Sequence, residues 1–282
     1  MTKILAFGTL YVVGTPIGNL EDMTFRGIRI LKEVDLIAAE DTRNTGKLLK
    51  RFEIATPQIS YHQHNQKSRA AELISRLQAG THIALVSDAG LPGISDPGYV
   101  LIEEAIANSI PVVPIPGVSA SLTALVASGL STDRFTFEGF LPVKGKRSDR
   151  IAEIAKSTKT SILYEAPHRV LATLKDLAAA LGDKRQIVLA RELTKIHEEF
   201  WRGTIDDAIA FYSQRQPKGE FTLVVAGKTT SDDEILLNEE QVKLELQQLL
   251  KQGMTRSQAS RQLAKLSALS RQEIYRLSQE LS

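Results

Sequence analysis

Twelve residues, Val86–Pro97, decide how the rest of this sequence is interpreted, and they read VSDAGLPGISDP. They continue from an apolar run, Ile83–Val86, that is typical of a short buried strand. The stretch combines two glycines that permit close backbone approach, two prolines that stiffen the path and two carboxylates that accept hydrogen bonds. Open α/β sheets bind ligands at rigid loops that follow the carboxyl ends of strands. A tight connection without a ligand is the alternative for this loop taken alone.

Two further strands run into loops of the same kind. Tyr11–Gly14 leads into Thr15–Asn19, and Val112–Ile115 leads into Pro116–Ala120. Each of these loops places proline and glycine directly after an apolar run, which marks the end of a strand. Because the same design occurs three times in the first half of the chain, we expect the three loops to converge on one pocket.

The composition is that of an ordinary globular protein. The chain has 282 residues, of which 43% are hydrophobic and 24% charged, and its net charge of +2 does not by itself indicate a nucleic-acid partner. It contains no cysteine, which excludes disulfides, a thiolate nucleophile and a cysteine-ligated metal. No signal peptide and no membrane-spanning stretch is recognisable, so we expect a cytoplasmic protein without a membrane partner.

The order of elements predicts an α/β fold with three parts. Strands and helices alternate up to residue 129, which is typical of a mostly parallel sheet. From residue 130 the composition shifts, and the loops of the second α/β part carry charge where those of the first carry glycine and proline. We therefore predict an N-terminal domain at 1–129 that holds a cofactor, a substrate domain at 130–229 and a helical module at 230–282.

The C-terminal module reads as three helices after a polar linker at Thr230–Asn238. The helices are predicted at Glu239–Lys251, Thr255–Leu266 and Ser270–Leu281, and the last begins with a capping box. This pattern resembles a helix-turn-helix module, and six Lys or Arg stand against two Glu from residue 251 onward. Contact with nucleic acid is one interpretation, and a cap on the protein body or a dimer contact is the other.

Charged loops follow several of the predicted strands. The loop 142–150 holds four basic residues and reads as a solvated loop or as a mobile clamp for phosphates. His62 and His64 alternate after a short strand, and we expect a hydrogen-bonding pair there and no metal site.

Several common nucleotide and hydrolase motifs are missing. The chain has no GxxxxGK[ST] motif, no GxGxxG after its first strand, no GxSxG and no HExxH. These absences argue against a P-loop NTPase, a dinucleotide dehydrogenase and the commonest methyltransferase fold.

Six motifs together resemble the ribosomal RNA small subunit methyltransferase I family. They are LYVVGTPIGN at 10–19, AAEDTR at 38–43, SDAGLPGISDPG at 87–98, FEGFLP at 137–142, YEAPHR at 164–169 and ARELTKIHEE at 190–199. The resemblance implies a tetrapyrrole-methylase-like fold, in which two α/β domains hold S-adenosyl-L-methionine in the cleft between them, and a homodimer. It also implies 2′-O-methylation of a cytidine ribose in 16S rRNA of the small ribosomal subunit.

The same resemblance implies roles for individual residues. The residues expected to bind the cofactor are Pro16, Asp88, Ala89, Gly90, Ile94, Gly117, Ser119, Ala120 and Tyr164. Candidates for catalysis are Glu165, His168, Glu192 and Lys195, with the Glu165/His168 pair first as proton acceptor. The alternative role for Arg191 and Glu192 is to pair with each other at the domain junction, without taking part in the chemistry. The residues expected to bind RNA are Arg43, Lys144, Lys146, Arg147, Arg150, Arg169 and Arg191.

Two other functions compete with this one. A methylase of the same fold that acts on a tetrapyrrole or a modified protein histidine would not need a basic tail. A non-catalytic RNA-binding factor would keep the fold without binding S-adenosylmethionine.

Overall fold

The computed structural model describes residues 7–229, 239–264, 267 and 269–280. The chain divides into two compact units, Met1–Ala226 and Gly227–Ser282. The first unit contains two five-stranded sheets, one on each side of residue 130. The predicted division into three domains, with boundaries at 129 and 229, stays a prediction.

The first sheet is entirely parallel and brings the three Gly/Pro loops to one edge. Its strands are β1 Leu10–Val13, β2 Leu36–Ala39, β3 Gln58–Ser60, β4 Ile83–Val86 and β5 Val112–Ile115, in the order β3-β2-β4-β1-β5. The sequence shows short apolar runs because both faces of the sheet are covered by helices. Since β4, β1 and β5 are neighbouring parallel strands, the loops that follow them lie side by side.

Five helices belong to this half of the unit. They are α1 Phe25–Glu33, α2 Thr42–Arg51, α3 Gln66–Gln78, α4 Tyr99–Ala107 and α5 Ala120–Ser128. Thr24 and Asp41 cap α1 and α2 by accepting hydrogen bonds from first-turn N–H groups. Two separate apolar clusters form on the two sides of the sheet, one with α3 and α4 and the other with α1 and α2.

The second sheet is mixed. Its strands are β6 Phe135–Phe140, β7 Thr160–Glu165, β8 Gln186–Arg191, β9 Glu199–Thr204 and β10 Phe221–Val225, in the order β6-β7-β10-β8-β9. Only the β6–β7 pair is parallel, and the other three pairs are antiparallel. Helices α6 Arg147–Lys156, α7 Val170–Leu181 and α8 Ile205–Gln214 cover one face over an apolar core.

The other face of the second sheet is covered by α5, which follows the last strand of the first sheet. Ala124 and Leu125 of α5 pack with Ile162, Val188 and Val224 of the second sheet. Arg202 of β9 donates hydrogen bonds to the carbonyls of Ala127 (2.5 Å) and Ser128 (3.2 Å), the last turn of α5. The two sheets are therefore held together through one shared helix.

Two local expectations differ from the structure. The loop 142–150 is shorter than predicted, because α6 begins at Arg147, whose guanidinium bonds Asp176 on α7 (2.8 Å) and Thr173 (2.9 Å). Strand β9 is not expected from the sequence, because only Phe200 and Trp201 of Glu199–Thr204 are large apolar residues. The strand forms by pairing along its whole length with β8.

The C-terminal unit forms a small core of its own. Its helices are α9 Glu239–Lys251, α10 Arg256–Leu263 and α11 Arg271–Glu280. Val242, Leu246, Ala259, Leu263 and Ile274 are buried together. The capping box predicted at the start of α11 is confirmed by reciprocal bonds between Ser270 and Glu273. The predicted linker at 230–238 lies outside the described residues.

None of the described helices is both long and apolar enough to cross a membrane.

Candidate functional site

The loops after β1 and β4 are joined by backbone contacts. The N–H of Thr15 donates to the carbonyl of Gly90 (2.9 Å), and the N–H of Gly90 donates to the carbonyl of Thr15 (3.0 Å). Gly90 has φ +77°, in the region that favours glycine. The loop after β5 lies against the loop after β1, since a Cβ on Gly117 would come within 2.8 Å of the Gly14 Cα. The expected convergence of the three loops is therefore present.

Two adjoining hollows open at this edge. The first, which we call the apolar hollow, has a volume of about 330 Å³ and lies between the Gly/Pro loops and the second sheet. Its lining includes Ile17, Ala89, Gly90, Ile94, Asp96, Ser119, Ala120, Phe140, Tyr164, Pro167, Glu220 and Phe221. The second, the polar hollow, has about 370 Å³ and is lined by Pro16, Gly18, Asn44, Lys47, Asp88 and Lys195 among others. Ile17, Ala89 and Glu220 line both hollows.

Eight of the nine residues expected to bind a cofactor line these hollows. The exception is Gly117, whose place is the contact with Gly14 and the wall of a separate surface hollow. The role of all nine as ligands of a cofactor stays a prediction.

Tyr164 and the start of α5 form one wall of the apolar hollow. Tyr164 is half-buried, and burial raises the pKa of its hydroxyl even though Ser121 is hydrogen-bonded to it. The rings of Phe137 and Phe140 stand edge-on to Tyr164, with centroids 5.0 and 5.6 Å away. Ser119 is the N-cap residue of α5, and its side chain makes no capping bond. The wall therefore combines aromatic surface with the N-terminus of a helix.

Asp96 is a carboxyl group of the apolar hollow that the sequence-based site left out. Burial raises its pKa to about 6, and the negative charges of Glu40 and Asp88 act in the same direction against a hydrogen bond from Ser87. A positive charge nearby would favour the ionised form of this carboxyl group. The sequence signal that could have identified Asp96 as a site residue is its position in the same loop as Asp88 and Gly90.

The polar hollow has an acidic edge that is held by hydrogen bonds. Asp88 accepts from the N–H of Asp41 (3.2 Å) and from the side-chain amide of Asn44 (2.9 Å), while its own N–H donates to Glu40 (3.2 Å). Burial raises the pKa of Glu40, and the neighbouring carboxylates of Asp88 and Asp41 add to this effect. The loop after β2 is thereby fixed to the loop after β4.

Charged side chains from loops of the second sheet form another edge of the polar hollow. The ammonium group of Lys195 bonds Glu192 (2.9 Å) and Glu220 (2.8 Å). Burial lowers the pKa of Lys195, but the bonds to Glu220 and Glu192 outweigh this effect and raise it. Burial likewise raises the pKa of Glu192, but Lys195 and the N–H of Glu220 lower it overall. Lys195 is therefore a cation and Glu192 a carboxylate at neutral pH.

The loop that carries Lys195 has strained backbone angles and contacts the loop after β1. Glu192 and Thr194 have φ values of +51° and +65°. The hydroxyl of Thr194 accepts a hydrogen bond from the N–H of Asn19 (3.0 Å), and a Cβ on Gly18 would lie 2.4 Å from the Lys195 side chain. These contacts place Lys195 and Glu220 at the Gly/Pro loops. Sequence reasoning missed Glu220, which follows Lys218-Gly219 directly before a buried strand.

The other two catalytic candidates lie at the end of β7 and just after it, and Glu165 lines the apolar hollow. Glu165 is 2% exposed, and its carboxylate accepts from Thr173 (2.6 Å), Arg169 (3.2 Å) and the N–H of Ala166 (3.0 Å). His168 is exposed, directly follows the lining residue Pro167, and has no hydrogen-bond partner within the described chain. Arg191 and Glu192 do not pair with each other directly; Arg191 pairs with Glu199 (3.4 Å).

The basic residues expected at RNA fall into two groups. Arg147, Arg169 and Arg191 are largely buried and bond protein groups, as do the more exposed Arg43 and Arg150. Lys144 and Lys146 are exposed and make no ion pair within the described residues. Their role toward RNA stays a prediction.

The rings of His62 and His64 lie edge to face with centroids 5.9 Å apart. Within residues 7–229, 239–264, 267 and 269–280, no three His, Asp or Glu side chains are grouped as a metal site would require.

Comparison with known proteins identifies this arrangement. Residues 9–209 match the family model of tetrapyrrole (corrin/porphyrin) methylases, so the chain belongs to that family. Solved structures with this fold include diphthine synthase (TM-score 0.63, 16% identity, 79% of this chain and 91% of that one). Another is uroporphyrin-III C-methyl transferase from Thermus thermophilus in complex with S-adenyl homocysteine (TM-score 0.58, 17% identity, 77% and 97%). The predicted fold class is confirmed.

Curated relatives define the chain more closely. Ribosomal RNA small subunit methyltransferase I of Synechocystis sp. is 57% identical over 275 residues, 97% of this chain and 98% of the relative. The protein of the same name from Streptococcus pyogenes serotype M3 is 47% identical, over 95% and 93% of the two chains. The chain is a member of the ribosomal RNA small subunit methyltransferase I family, as its motifs predicted.

Proposed function

We propose that this protein transfers a methyl group from S-adenosylmethionine to the 2′-hydroxyl of a cytidine in 16S rRNA of the small ribosomal subunit. The relatives that cover nearly the whole chain are named as rRNA methyltransferases, and one protein of the same fold was crystallised with S-adenyl homocysteine. The observation that carries the proposal is the pair of hollows that meet at Ile17, Ala89 and Glu220. The first, with its aromatic walls and Asp96, is suited to an organic cation, and the second to a polar substrate.

The residues of the apolar hollow fit S-adenosylmethionine. Its volume of about 330 Å³ is within the range of small-molecule sites. Gly90 and the start of α5 offer backbone groups, Tyr164 and Phe140 offer aromatic surface, and Asp96 offers negative charge. When bound, the cofactor supplies an electrophilic methyl group on a sulfonium cation.

The chain's own part in the reaction is to position the ribose and to accept a proton. A 2′-hydroxyl is a weak nucleophile until its proton leaves, so a carboxylate or imidazole must be near it. Glu220 lies where the hollows meet and its side chain is 79% exposed, so we assign it this role alongside the sequence-based candidate His168. Lys195 holds Glu220 and offers a positive charge to the oxygen that loses the proton. Glu165, with its three partners, positions the loop that carries His168.

The RNA is held by exposed basic groups. Lys144 and Lys146 lie exposed before α6, and Arg256, Arg261 and Arg276 are exposed on the C-terminal helices. Such groups bind phosphates without reading sequence.

A second copy of the chain is part of the proposal. Val126 (76% exposed) and Leu122 (48%) of α5 line an open surface hollow. Phe25 (95%) directly follows its wall residue Thr24, and Ile196 (97%) lies two residues after its wall residue Thr194. Exposed apolar surface of this kind marks protein contacts, and we propose a homodimer.

Methyl transfer to isolated small subunits tests the function. We expect wild-type protein to transfer label from S-adenosylmethionine to 16S rRNA of subunits from cells that lack the enzyme, and to no porphyrin precursor. The labelled nucleotide is mapped, and its resistance to alkaline hydrolysis identifies the 2′-oxygen. Label on a base, or on a porphyrin only, contradicts the proposal.

A further inference from the structure

A third hollow lies outside the cleft and has a strongly basic lining. It has a volume of about 300 Å³ and is formed by Arg191 at the end of β8, Tyr212 on α8, and the segment Arg215–Lys218 before β10. We call it the basic hollow. Its side chains carry three positive charges, and among the described residues Glu199 is the carboxylate that pairs with Arg191 and Arg215.

The protein uses only part of the donor capacity of these cations. Glu199 accepts from the Nη1 atoms of Arg191 (3.4 Å) and Arg215 (3.0 Å). Arg191 also donates to the carbonyls of Lys218 (2.6 Å) and His197 (3.4 Å), which fixes its guanidinium group. The ammonium group of Lys218 and the Nη2 atoms of both arginines have no protein partner among the described residues. Donors therefore remain on several sides of the hollow.

Tyr212 independently indicates a ligand. The residue is 3% exposed, yet its hydroxyl is buried without a hydrogen-bond partner in the described chain. An unsatisfied buried hydroxyl destabilises a folded protein, and a buried tyrosine normally has a hydrogen-bond partner. Burial raises the pKa of Tyr212 to about 12, and the charge of Glu199 acts with it against those of Arg215 and Arg191. The hydroxyl is therefore a proton donor at neutral pH, and it lies beside these three side chains.

We propose that the basic hollow binds a backbone phosphate of the RNA substrate, with Tyr212, Arg215 and Lys218 as its donors to the phosphate oxygens. A phosphodiester matches this lining because it is a compact anion that accepts several hydrogen bonds. Lys218 stands two residues before Glu220, so the span between them is at most about 7 Å of extended chain. The phosphate bound here belongs to a nucleotide that flanks the methylated one. The inference rests on the proposed function.

Conservative variants test it in the full-length protein. Tyr212→Phe removes only the hydroxyl, and Arg215→Gln and Lys218→Gln each remove one charge. The matched controls are Tyr99→Phe, whose hydroxyl bonds Glu103 (2.8 Å), and Lys175→Gln, an exposed lysine on α7. Binding to small subunits from cells lacking the enzyme is measured by filter retention over a series of salt concentrations, with KM, kcat and melting temperature in parallel.

The expected results separate a phosphate site from a structural role. Tyr212→Phe should bind subunits about 10-fold more weakly, with unchanged kcat and an unchanged or higher melting temperature. Arg215→Gln and Lys218→Gln should each reduce the slope of log K against log salt by about 0.7–0.9. Both controls should match the wild type.

Three results overturn the inference. The first is binding and salt slopes of all three variants that equal those of the controls. The second is a Tyr212→Phe protein with a clearly lower melting temperature, which would assign the hydroxyl a structural role. The third is stabilisation of wild type, but not of Tyr212→Phe, by inorganic phosphate together with unchanged subunit binding, which would mean a site for free phosphate. Failure of the proposed function is distinct, because wild-type protein would then methylate no rRNA.

Discussion

Charged side chains in and beside the two hollows carry the chemistry at the scale of single residues. Asp96, Glu192, Lys195 and Glu220 come from three different loops. Burial and neighbouring groups shift the pKa of the first three, and Glu220 is ion-paired with Lys195. The ionisation of Asp96, Glu192 and Lys195 therefore depends on their environment as well as on residue type.

The ionisation of Asp96 predicts a pH dependence of cofactor binding. Because its pKa is raised to about 6, the free protein holds a proton there below pH 6, and a sulfonium cation must displace it. The affinity for S-adenosylmethionine relative to uncharged-sulfur S-adenosylhomocysteine should therefore rise on the order of 3- to 10-fold from pH 5 to pH 7. Calorimetry with both ligands measures this ratio. In Asp96→Asn the ratio should not vary with pH, and a ratio that is flat in wild type would remove Asp96 from the cation's surroundings.

The position of Glu220 predicts a loss of turnover without a loss of cofactor. Glu220→Gln keeps the size of the side chain but removes its capacity to take a proton, so kcat should fall by about 10²- to 10⁴-fold. The dissociation constant of the variant for S-adenosylmethionine should stay within about twofold of wild type, since the substitution keeps the size of this lining side chain and leaves the other residues of the apolar hollow unchanged. Glu33→Gln, which alters an exposed carboxylate on α1, is the control. Wild-type turnover by Glu220→Gln would leave His168 as the candidate acceptor.

At the scale of elements, α5 has two functions at once. Its N-terminus belongs to the wall of the apolar hollow, and its body fills the space under the second sheet. Small residues such as Ala120 and Ala124 allow the helix to approach the strands closely.

Enlarging this contact should destabilise the protein. Ala124 is fully buried between α5 and the second sheet, so Ala124→Leu overfills the contact and should cost about 1–3 kcal/mol of unfolding free energy. Urea denaturation measures the change. Val126→Ala, at a position 76% exposed on the same helix, should change the stability of the monomer by less than about 0.5 kcal/mol. Equal stability of the two variants would contradict the packing described for α5.

At the scale of the whole molecule, the exposed apolar residues near α5 predict an association. Val126→Asp places a charge in the surface that we assign to the homodimer and should convert a dimer into a monomer. Sedimentation equilibrium measures the mass. Ile106→Asp, at an exposed apolar position on α4, should leave the mass unchanged. A dimer that persists in Val126→Asp places the contact elsewhere.

The C-terminal unit has a separate prediction because it has its own core. Replacing Arg256, Arg261 and Arg276 by Gln in the full chain alters exposed positions only, so the fold should be retained. If each arginine meets one phosphate, the salt slope of subunit binding should fall by about 2–3, with the affinity for S-adenosylmethionine unchanged. An unchanged slope would assign these helices to a protein contact, which is the alternative the sequence leaves open.

The sequence by itself determined what depends on near neighbours in the chain. The apolar runs before Thr15, Ser87 and Pro116, the capping box at Ser270, and the family motifs were sufficient to predict the first sheet, its three loops and the C-terminal helices. These features follow from local periodicity and turn chemistry, which act over a few residues.

Only the tertiary structure decided which distant groups meet. It placed α5 under the second sheet, Glu220 at the junction of the two hollows, and Tyr212 beside Arg191 and Arg215. It also showed Arg147 and Glu165 bonded within the protein, although their residue types suggest function. The physical reason is that burial and charge pairing arise between residues far apart in sequence, so they set each side chain's role only after the chain has folded.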